Sequence, residues 1–416
     1  MPLVLYSAVI FVGLLCLLFI PDGPRLNPAQ EVAAASRFSL VQWEVTNFLD
    51  KWANRLAREL ARTPQDEDVR LGQVREYFAL VEQTQAVRRD LAAAAAGQGG
   101  DVAALEVRLE ELEERQAALQ DDVEETLEST ISAVLRKLGL ASVGGFIFPP
   151  VDIRLGEPPK LLVSSPRERI ERTHDVLLHP GVGIQKSESM ESSLLTKADL
   201  SALVVEIGGV ATYPASVLNN RPLRSTLQVA SHEWLHHYLA FRPLGWNFYT
   251  SADMQTLNET FADVAGREIG DLAYILLGGS IEPESSTGAE VPPPQDQEAE
   301  GFDFAREMRA TRAEVDALLA SGQVARAEAY MEQRRQLFVE NGYPIRKLNQ
   351  AYFAFHGTYA ESPTSASPIG EQLREFRRLS ENLYAFIRSV PRFSNYGQFL
   401  AELERIKRLQ TGDGSN

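Results

Sequence analysis

Cysteine is nearly absent from this chain. The only one among 416 residues is Cys16, which excludes an intrachain disulfide framework and a zinc site built from cysteines. Cys16 lies inside an apolar run and therefore does not indicate a reducing or an oxidising compartment. Histidine is also scarce, because the chain has six, and three of them fall within SHEWLHHYLAF at residues 231–241.

Positive charge is in short supply. Lysine and arginine together number 41 against 57 aspartates and glutamates, so the formal net charge is −16. A nucleic-acid partner requires a basic surface that neutralises phosphates, and no cluster of lysine and arginine marks a candidate groove. We therefore expect no nucleic-acid partner. The 44% of hydrophobic and 24% of charged residues are ordinary for a globular protein, and the length allows two or three domains.

A single long run without charge occurs, LVLYSAVIFVGLLCLLFI at residues 3–20. Its length of 18 residues is close to the minimum for a membrane-spanning helix. A cleaved signal peptide would have a basic start and a small-residue cleavage site, and neither is present. A lipoprotein signal is disfavoured because Leu15 precedes Cys16, where a small residue is expected. The run therefore predicts an uncleaved, single-pass membrane anchor.

The segment after this run is patterned as helices. Apolar side chains recur at three- and four-residue steps over residues 28–62, and further helices are predicted over 67–96 and 101–138. The glycine-rich turn GQGG at 97–100 would join the last two as an antiparallel hairpin. Heptad spacing in the last helix is short and is interrupted by Gln116. We therefore favour a hairpin that packs on itself over a coiled coil through which the protein self-associates.

The composition changes after the hairpin toward short apolar runs broken by proline and glycine, which predict strands. The clearest is ALVVEIGGVATYPASV at residues 202–217, read as a strand pair with a turn at Gly208 and Gly209. Helical patterning returns over residues 223–241 and 254–277.

Residues 278–301 have the composition of a linker, since they are acidic and proline-containing with almost no large apolar side chains. A helical hairpin is predicted over residues 302–341, with its turn near Ser321 and Gly322. A final pair of helices is expected to end near Leu409.

Two of the clustered histidines have the spacing of metal ligands. His232 and His236 are four residues apart in HEWLH, so a helix places both rings on one face, with Cβ atoms roughly 5–6 Å apart. Two neutral imidazoles in this arrangement can bind one zinc ion. Glu233 is offset by one residue and would lie beside a water at the metal. The alternative is an ordinary helix that happens to contain histidines. His237 points about 100° away and is expected at the surface or behind the ligands.

A third ligand is expected in NETFADVAG at residues 258–266, where apolar residues have helical spacing. Glu259 and Asp263 are four residues apart and share one face of this helix. Glu259 can reach the metal, while Asp263 can accept the outer N–H of a ligating histidine and fix its tautomer. The histidine pair followed by this acidic pair is far more specific than either half alone.

These two segments resemble the gluzincin superfamily of zinc metallopeptidases, which carry HExxH on one helix and a glutamate ligand on the next, often within N-E-x-x-[SA]-D. HEWLH at 232–236 and NETFAD at 258–263 match both halves in the right order, and the resemblance extends over residues 202–266. It implies three zinc ligands: His232, His236 and Glu259. It also implies that Glu233 is the general base. No G-x-M-E-N sequence, which aminopeptidases use to hold a free amino terminus, is present, so exopeptidase and endopeptidase both stay open.

Peptide hydrolysis also needs a donor to the developing oxyanion. The resemblance places such donors downstream, on a helical subdomain, and AYFAFHGTYA at residues 351–360 offers His356 and Tyr359. Packing in the core is the alternative for each of them, and Tyr352 is expected to be a core residue. GGVATYP at 208–214 is a candidate edge strand along which a peptide could lie, although a buried strand would explain it as well.

The sequence thus predicts an α+β, predominantly α-helical protein with a zincin-like catalytic core. We expect five segments: a transmembrane anchor at 1–25, a helical hairpin at 26–140, the zincin core at 141–277, a linker at 278–301 and a helical C-terminal subdomain at 302–416.

The predicted function is a zinc-dependent peptidase at the cell membrane, acting on a peptide or protein with Glu233 as general base. One alternative is a non-catalytic membrane scaffold braced by zinc, which the presence of Glu233 disfavours. The other is a zinc hydrolase of a non-peptide amide or ester. Arg25 and Arg37 alone would favour a cytoplasmic body, but long domains often cross membranes despite such weak bias. The side therefore stays open, with an extracytoplasmic placement slightly favoured because anchored hydrolases are commonly at the cell surface.

Overall fold

The computed structural model describes residues 26–44, 46, 66–95, 99–142, 144–281, 302–359 and 362–411. The predicted anchor at 3–20, the end of the predicted first helix and residues 282–301 of the predicted linker lie outside these ranges. Within them, none of the helices has the length and apolar character that crossing a bilayer requires.

The chain folds as an α+β protein that is mostly helical. In chain order the helices are α1 Pro28–Ala33, α2 Glu67–Ala95, α3 Val102–Lys137, α4 Ile184–Ala198, α5 Leu223–Leu239, α6 Pro243–Trp246, α7 Ala252–Leu276, α8 Phe304–Ala320, α9 Val324–Glu340, α10 Gln350–His356, α11 Ile369–Leu379, α12 Leu383–Ser389 and α13 Tyr396–Thr411. The strands are β1 Ile153–Gly156, β2 Lys160–Pro166, β3 His174–Leu178, β4 Leu200–Val205, β5 Gly209–Val210 and β6 Ala215–Leu218.

The prediction of one continuous helix over residues 28–62 is wrong near its start. Helix α1 ends at Ala33, and the chain around Ser36–Phe38 is instead paired with the end of β3. The N–H of Phe38 donates to the carbonyl of Leu177 at 2.8 Å, and the N–H of His179 donates to the carbonyl of Ser36 at 2.9 Å. These backbone hydrogen bonds require extended chain, so they override the local helical periodicity.

Helices α2 and α3 pack against each other within the chain as the predicted antiparallel hairpin. The carboxylate of Asp101 caps α3 by accepting the N–H of Ala104 at 3.2 Å. Gln116, which interrupts the heptad pattern, is buried and donates its amide to the carbonyl of Asn219 at 3.0 Å. The polar residue that interrupts the heptad pattern therefore binds the loop that precedes α5.

The hairpin shares its hydrophobic core with the helices that carry the predicted metal ligands. Val123, Leu127 and Ile131 on α3 pack in the same cluster as Trp234 of α5 and Phe261 of α7, and all five are buried. Burial at this level contributes roughly 1.5–3 kcal/mol for each large aliphatic side chain. The hairpin therefore supports the helices of the site directly.

Side chains of α3 also occupy the outer edge of β1. Glu128 accepts the N–H of Ile153 at 2.9 Å, and Glu124 accepts the N–H of Leu155 at 2.8 Å. Gln120 donates to the carbonyl of Leu155 at 2.7 Å. The three side chains are spaced at four-residue intervals on one face of the helix, so they take the place of a neighbouring strand.

The strands form two three-stranded sheets, with orders β1-β6-β5 and β3-β2-β4. Strands β1 and β6 are parallel, while the other pairs are antiparallel. The predicted pairing within residues 202–217 is therefore wrong, because β4 pairs with β2 and β5 pairs with β6. The carbonyl of Gly208 accepts the N–H of Leu218 at 3.0 Å, which directs the chain into the second sheet instead of back onto β4.

The C-terminal helices begin with the predicted hairpin, formed by α8 and α9 with its turn at Ser321 and Gly322. The chain then returns to the β3-β2-β4 sheet, where Glu191 of α4 binds both the sheet and the C-terminal part of the chain. This buried carboxylate accepts the N–H of Val204 at 2.8 Å and pairs with Lys347 at 2.6 Å and with Arg346. Burial alone would raise the pKa of Glu191, but the two cations and the Val204 N–H hold it below its ordinary value.

Glu191→Gln should destabilise the protein by about 2–3 kcal/mol, because hydrogen bonds to a charged group are lost at a buried position. Glu188→Gln, an exposed change one turn earlier on α4, is the matched control and should leave the free energy of unfolding unchanged. Since the folded-state pKa of Glu191 is lowered, its contribution is present above pH 4.5, the ordinary glutamate value, and is lost as the pH falls below it. Urea unfolding at several pH values measures this; equal stability of the two variants at pH 7 would contradict it.

Candidate metal centre

The centre is built on two helices whose backbones touch. A Cβ added to Gly266 of α7 would lie 2.9 Å from the Cα of His232, and one added to Gly270 would lie 2.5 Å from the Cα of Gln228. Only glycine permits this approach of α7 to α5, since real Cβ contacts do not occur below 3.0 Å. The two helices were predicted from the sequence, but the close approach between them was not.

Three side chains on these helices bring their ligand atoms together. The Nε2 atoms of His232 and His236 are 2.9 Å apart. The Oε2 atom of Glu259 is 3.6 Å from Nε2 of His232 and 3.5 Å from Nε2 of His236. The predicted ligands His232, His236 and Glu259 therefore form one group that could hold a metal ion.

The donor set fits a small divalent cation. Bonds of about 2.0–2.1 Å in a tetrahedral arrangement place donor atoms roughly 3.3–3.4 Å apart, close to the separations seen here. Without a cation, the two imidazole nitrogens would face each other beside a buried carboxylate. Burial alone would raise the pKa of Glu259, but the two imidazoles hold it well below its usual range, so the carboxylate is ionised.

Asp263 lies behind the first histidine, as predicted. Its Oδ1 is 3.0 Å from Nδ1 of His232. This contact places the ring proton on Nδ1 and leaves the lone pair of Nε2 directed toward Glu259. Burial alone would lower the pKa of His232, but Asp263 and Glu259 raise it, which makes the imidazole a more basic ligand.

Glu233 lies beside the group and does not belong to it. Its side chain is buried, and burial raises its pKa above the ordinary glutamate value. A Cβ added to Gly209 of β5 would lie 2.6 Å from Oε1 of Glu233. The absence of a side chain at Gly209 thus makes room for this carboxylate at the end of the β1-β6-β5 sheet, a role that the Gly-Gly step in the sequence did not reveal.

The two predicted oxyanion donors are placed differently. Tyr359 is within electrostatic reach of Glu259, Asp263 and Glu233, and burial together with the charge of Glu259 raises its pKa well above the usual value. Its phenol is therefore a neutral hydrogen-bond donor on the side of the metal centre.

His356 packs against the rings of Tyr352 and Phe355, with centroids 4.3 and 5.0 Å away, and burial lowers its pKa to about 4. No electrostatic interaction of His356 with the centre is found within the described chain. Tyr352 is largely buried and packs at the edge of the C-terminal helical core, as predicted.

His237 is neither exposed nor a ligand. Its Nε2 donates to the carbonyl of Thr212 at 2.8 Å, and burial lowers its pKa to about 4, so the ring is neutral. The ring of Tyr213 lies 5.5 Å away. His237 therefore ties the GGVATYP segment to the helix that carries both histidine ligands.

Arg172 and Tyr249 were not among the predicted site residues. Arg172, two residues before β3, is within electrostatic reach of Glu259 and Tyr359. Tyr249, in the 3-10 turn between α6 and α7, is 85% exposed and interacts with Arg172 and Glu259. Neither residue lies in a motif, so tertiary folding alone brings them to the centre.

Comparison with protein-family models, with curated proteins and with solved structures finds no match to this chain. The geometry described above is therefore the basis for assigning a function.

Gly266→Ala should displace α5 from α7 and destabilise the protein by about 1–3 kcal/mol, because the new methyl meets backbone atoms of His232. Gly72→Ala in α2 is the control, since its Cβ would meet nothing within 4 Å and should stabilise the helix by about 0.5–1 kcal/mol. Thermal unfolding of both variants measures this. A Gly266→Ala protein as stable as Gly72→Ala would show that the helices do not need this approach.

Proposed function

We propose that this protein is a zinc-dependent peptidase of the gluzincin type, anchored to the cell membrane through residues 3–20. The observation that carries the proposal is the convergence of His232, His236 and Glu259 with a buried carboxylate, Glu233, next to them. The apolar run near the N terminus supports the anchor.

The choice of zinc and of a zincin-like core rests on the chemistry of the donors. Two neutral imidazoles and one carboxylate on two adjacent helices are a ligand set of catalytic zinc, which leaves a position for solvent or substrate. Asp263 on the outer nitrogen of His232 adds the carboxylate partner that such histidines have. When bound there, zinc supplies Lewis-acid chemistry, since it polarises a carbonyl and makes water acidic enough to react near neutral pH.

Glu233 is the proposed general base. Its carboxylate takes a proton from the attacking water and passes it to the leaving amine, which is the role that a carboxylate of raised pKa beside a reacting water suits. Space for this exchange comes from Gly209, whose missing side chain leaves the carboxylate adjacent to β5.

Tyr359 is the proposed donor to the developing oxyanion. Its phenol keeps its proton because burial and the charge of Glu259 oppose ionisation. Its interactions with Glu233, Glu259 and Asp263 favour it over His356, which packs between aromatic rings.

Strand β5 is the proposed position for the substrate main chain. It is the last strand of the β1-β6-β5 sheet and adjoins Glu233. A peptide in an extended conformation could add to this edge by main-chain hydrogen bonds, which would hold its carbonyl near the metal centre.

Glu233→Gln should reduce peptide hydrolysis by about 10²–10⁴-fold while the bound zinc is unchanged, because the amide cannot accept the proton and Glu233 is not a ligand. Glu206→Gln, on an exposed side chain after β4, is the control and should retain full activity. Zinc content is measured beside cleavage of a peptide library, with and without a chelator.

Three outcomes of that experiment would contradict the proposal. Bound zinc without any hydrolysis would indicate a braced scaffold. Hydrolysis of amides or esters but not of peptides would indicate a different substrate class. Unchanged peptide cleavage in Glu233→Gln would exclude this residue as the base.

Tyr359→Phe should lower kcat by about 10²–10³-fold with little change in KM, since one donor to the transition state is lost and ground-state binding is not. Tyr352→Phe, which removes a hydroxyl from the same segment, should behave as the wild type. Steady-state kinetics and zinc content of both variants decide this, and equal kcat values for the two would exclude Tyr359 as the donor.

A further inference from the structure

A small apolar cluster, here called the wall, lies near the candidate metal centre, where the β3-β2-β4 sheet meets α10. Leu161, Val163 and Phe355 form its buried part, and Ile207 and Tyr359 pack against them. Ile207 lies two residues before Gly209, which touches Glu233, and two residues of extended chain span at most roughly 7 Å. The cluster therefore adjoins the proposed base.

Arg172 lies on this wall. Its guanidinium carbon is 5.5 Å from the centre of the Phe355 ring, and that ring is 5.9 Å from the ring of Tyr359. The position above an aromatic face is a favourable site for a cation. The side chain is 13% exposed, so it is held in the wall and does not extend freely into solvent.

One end of the Arg172 guanidinium is occupied and the other is free. Its Nε and Nη2 atoms lie 2.7 and 2.6 Å from Oδ2 of Asp175. In the described part of the chain, Nη1 has no acceptor, and it is not sealed from solvent. The ion pair thus fixes the orientation of the plane and leaves two N–H groups available to a ligand.

The surroundings place Arg172 near the candidate metal centre. Arg172 interacts electrostatically with Glu259 and with Tyr359, and Tyr249 interacts with Arg172, Asp175 and Glu259. The ring of Tyr249 is 85% exposed, so these interacting side chains reach the protein surface at Tyr249. Arg172 therefore lies close to the candidate ligand Glu259 and to the proposed donor Tyr359.

We propose that Arg172 is a substrate-binding residue whose Nη1 donates to an acceptor oxygen of the peptide, with Asp175 holding the guanidinium in place. This inference rests on the proposed peptidase function. The oxygen belongs either to a free C-terminal carboxylate or to a main-chain carbonyl of a longer peptide, and both present the same acceptor chemistry. The assignment bears on whether the enzyme cleaves near a chain end or within a chain.

The experiment compares Arg172→Gln with Arg169→Gln in the full chain loaded with zinc. Arg169 is an exposed arginine nearby, paired with glutamates at the surface, and serves as the matched control. Peptides cleaved by the wild type are made with a C-terminal acid or amide, and kcat/KM is measured for each. The same peptides are titrated calorimetrically into the Glu233→Gln protein with and without Arg172→Gln, so that binding is read without turnover.

Arg172→Gln should weaken peptide binding by about tenfold or more and lower kcat/KM to match, since one charge-assisted hydrogen bond is lost, while Arg169→Gln should match the wild type. A loss restricted to peptides with a free acid identifies the terminal carboxylate as the ligand. An equal loss for acid and amide identifies the main-chain carbonyl.

Unchanged binding and kcat/KM in Arg172→Gln would overturn the proposal. Asp175→Asn tests a merely structural role, because it breaks the ion pair but keeps the arginine. Because Nη1 is still present, Asp175→Asn should bind peptide better than Arg172→Gln even if both variants lose the same thermal stability. If the two variants bound peptide equally weakly, the arginine would only support the wall, and the inference would fail. A wild-type protein that binds zinc but cleaves no peptide would refute the peptidase function itself, and this inference with it.

Discussion

Contact between the backbones of α5 and α7 sets the positions of the three side chains that could hold a metal ion. Gly266 and Gly270 are four residues apart on α7, and each faces a backbone atom of α5 that a methyl group would meet. A glycine inside a helix costs about 1 kcal/mol relative to alanine, so two in one helix indicate that the approach itself is needed. At this distance Glu259 reaches both histidines, and Asp263 reaches the outer nitrogen of His232.

Buried carboxylates elsewhere in the fold bind backbone N–H groups. Glu124 and Glu128 bind the N–H groups of β1, and Glu191 binds that of Val204 while pairing with two cations from the C-terminal part of the chain. These three residues join helices to the sheets at places where apolar packing alone would not fix the strand register. Part of the acidic excess in the composition therefore has a structural use inside the molecule.

The features that could be predicted from the sequence are those that depend on the spacing of residues along a single helix. The histidine pair and the acidic pair were found because residues four apart share a face in any helix, and the α2–α3 hairpin was found from its glycine turn. Strand partners were mispredicted, because a hydrogen bond from Leu218 to Gly208 decides between two sheets and no local pattern records it. Arg172, Tyr249 and Gly209 were missed for a related reason, since each acquires its neighbours only when distant segments meet.

The two edges of the β1-β6-β5 sheet are unlike each other. The outer edge of β1 is covered by side chains of α3, which bind the N–H groups of Ile153 and Leu155 and the carbonyl of Leu155. The opposite edge, β5, is only two residues long and starts at a glycine. An extended chain, whether a peptide or a second molecule of the protein, can therefore pair with this sheet more readily at β5 than at β1. The fold thereby sets the side from which such a chain approaches.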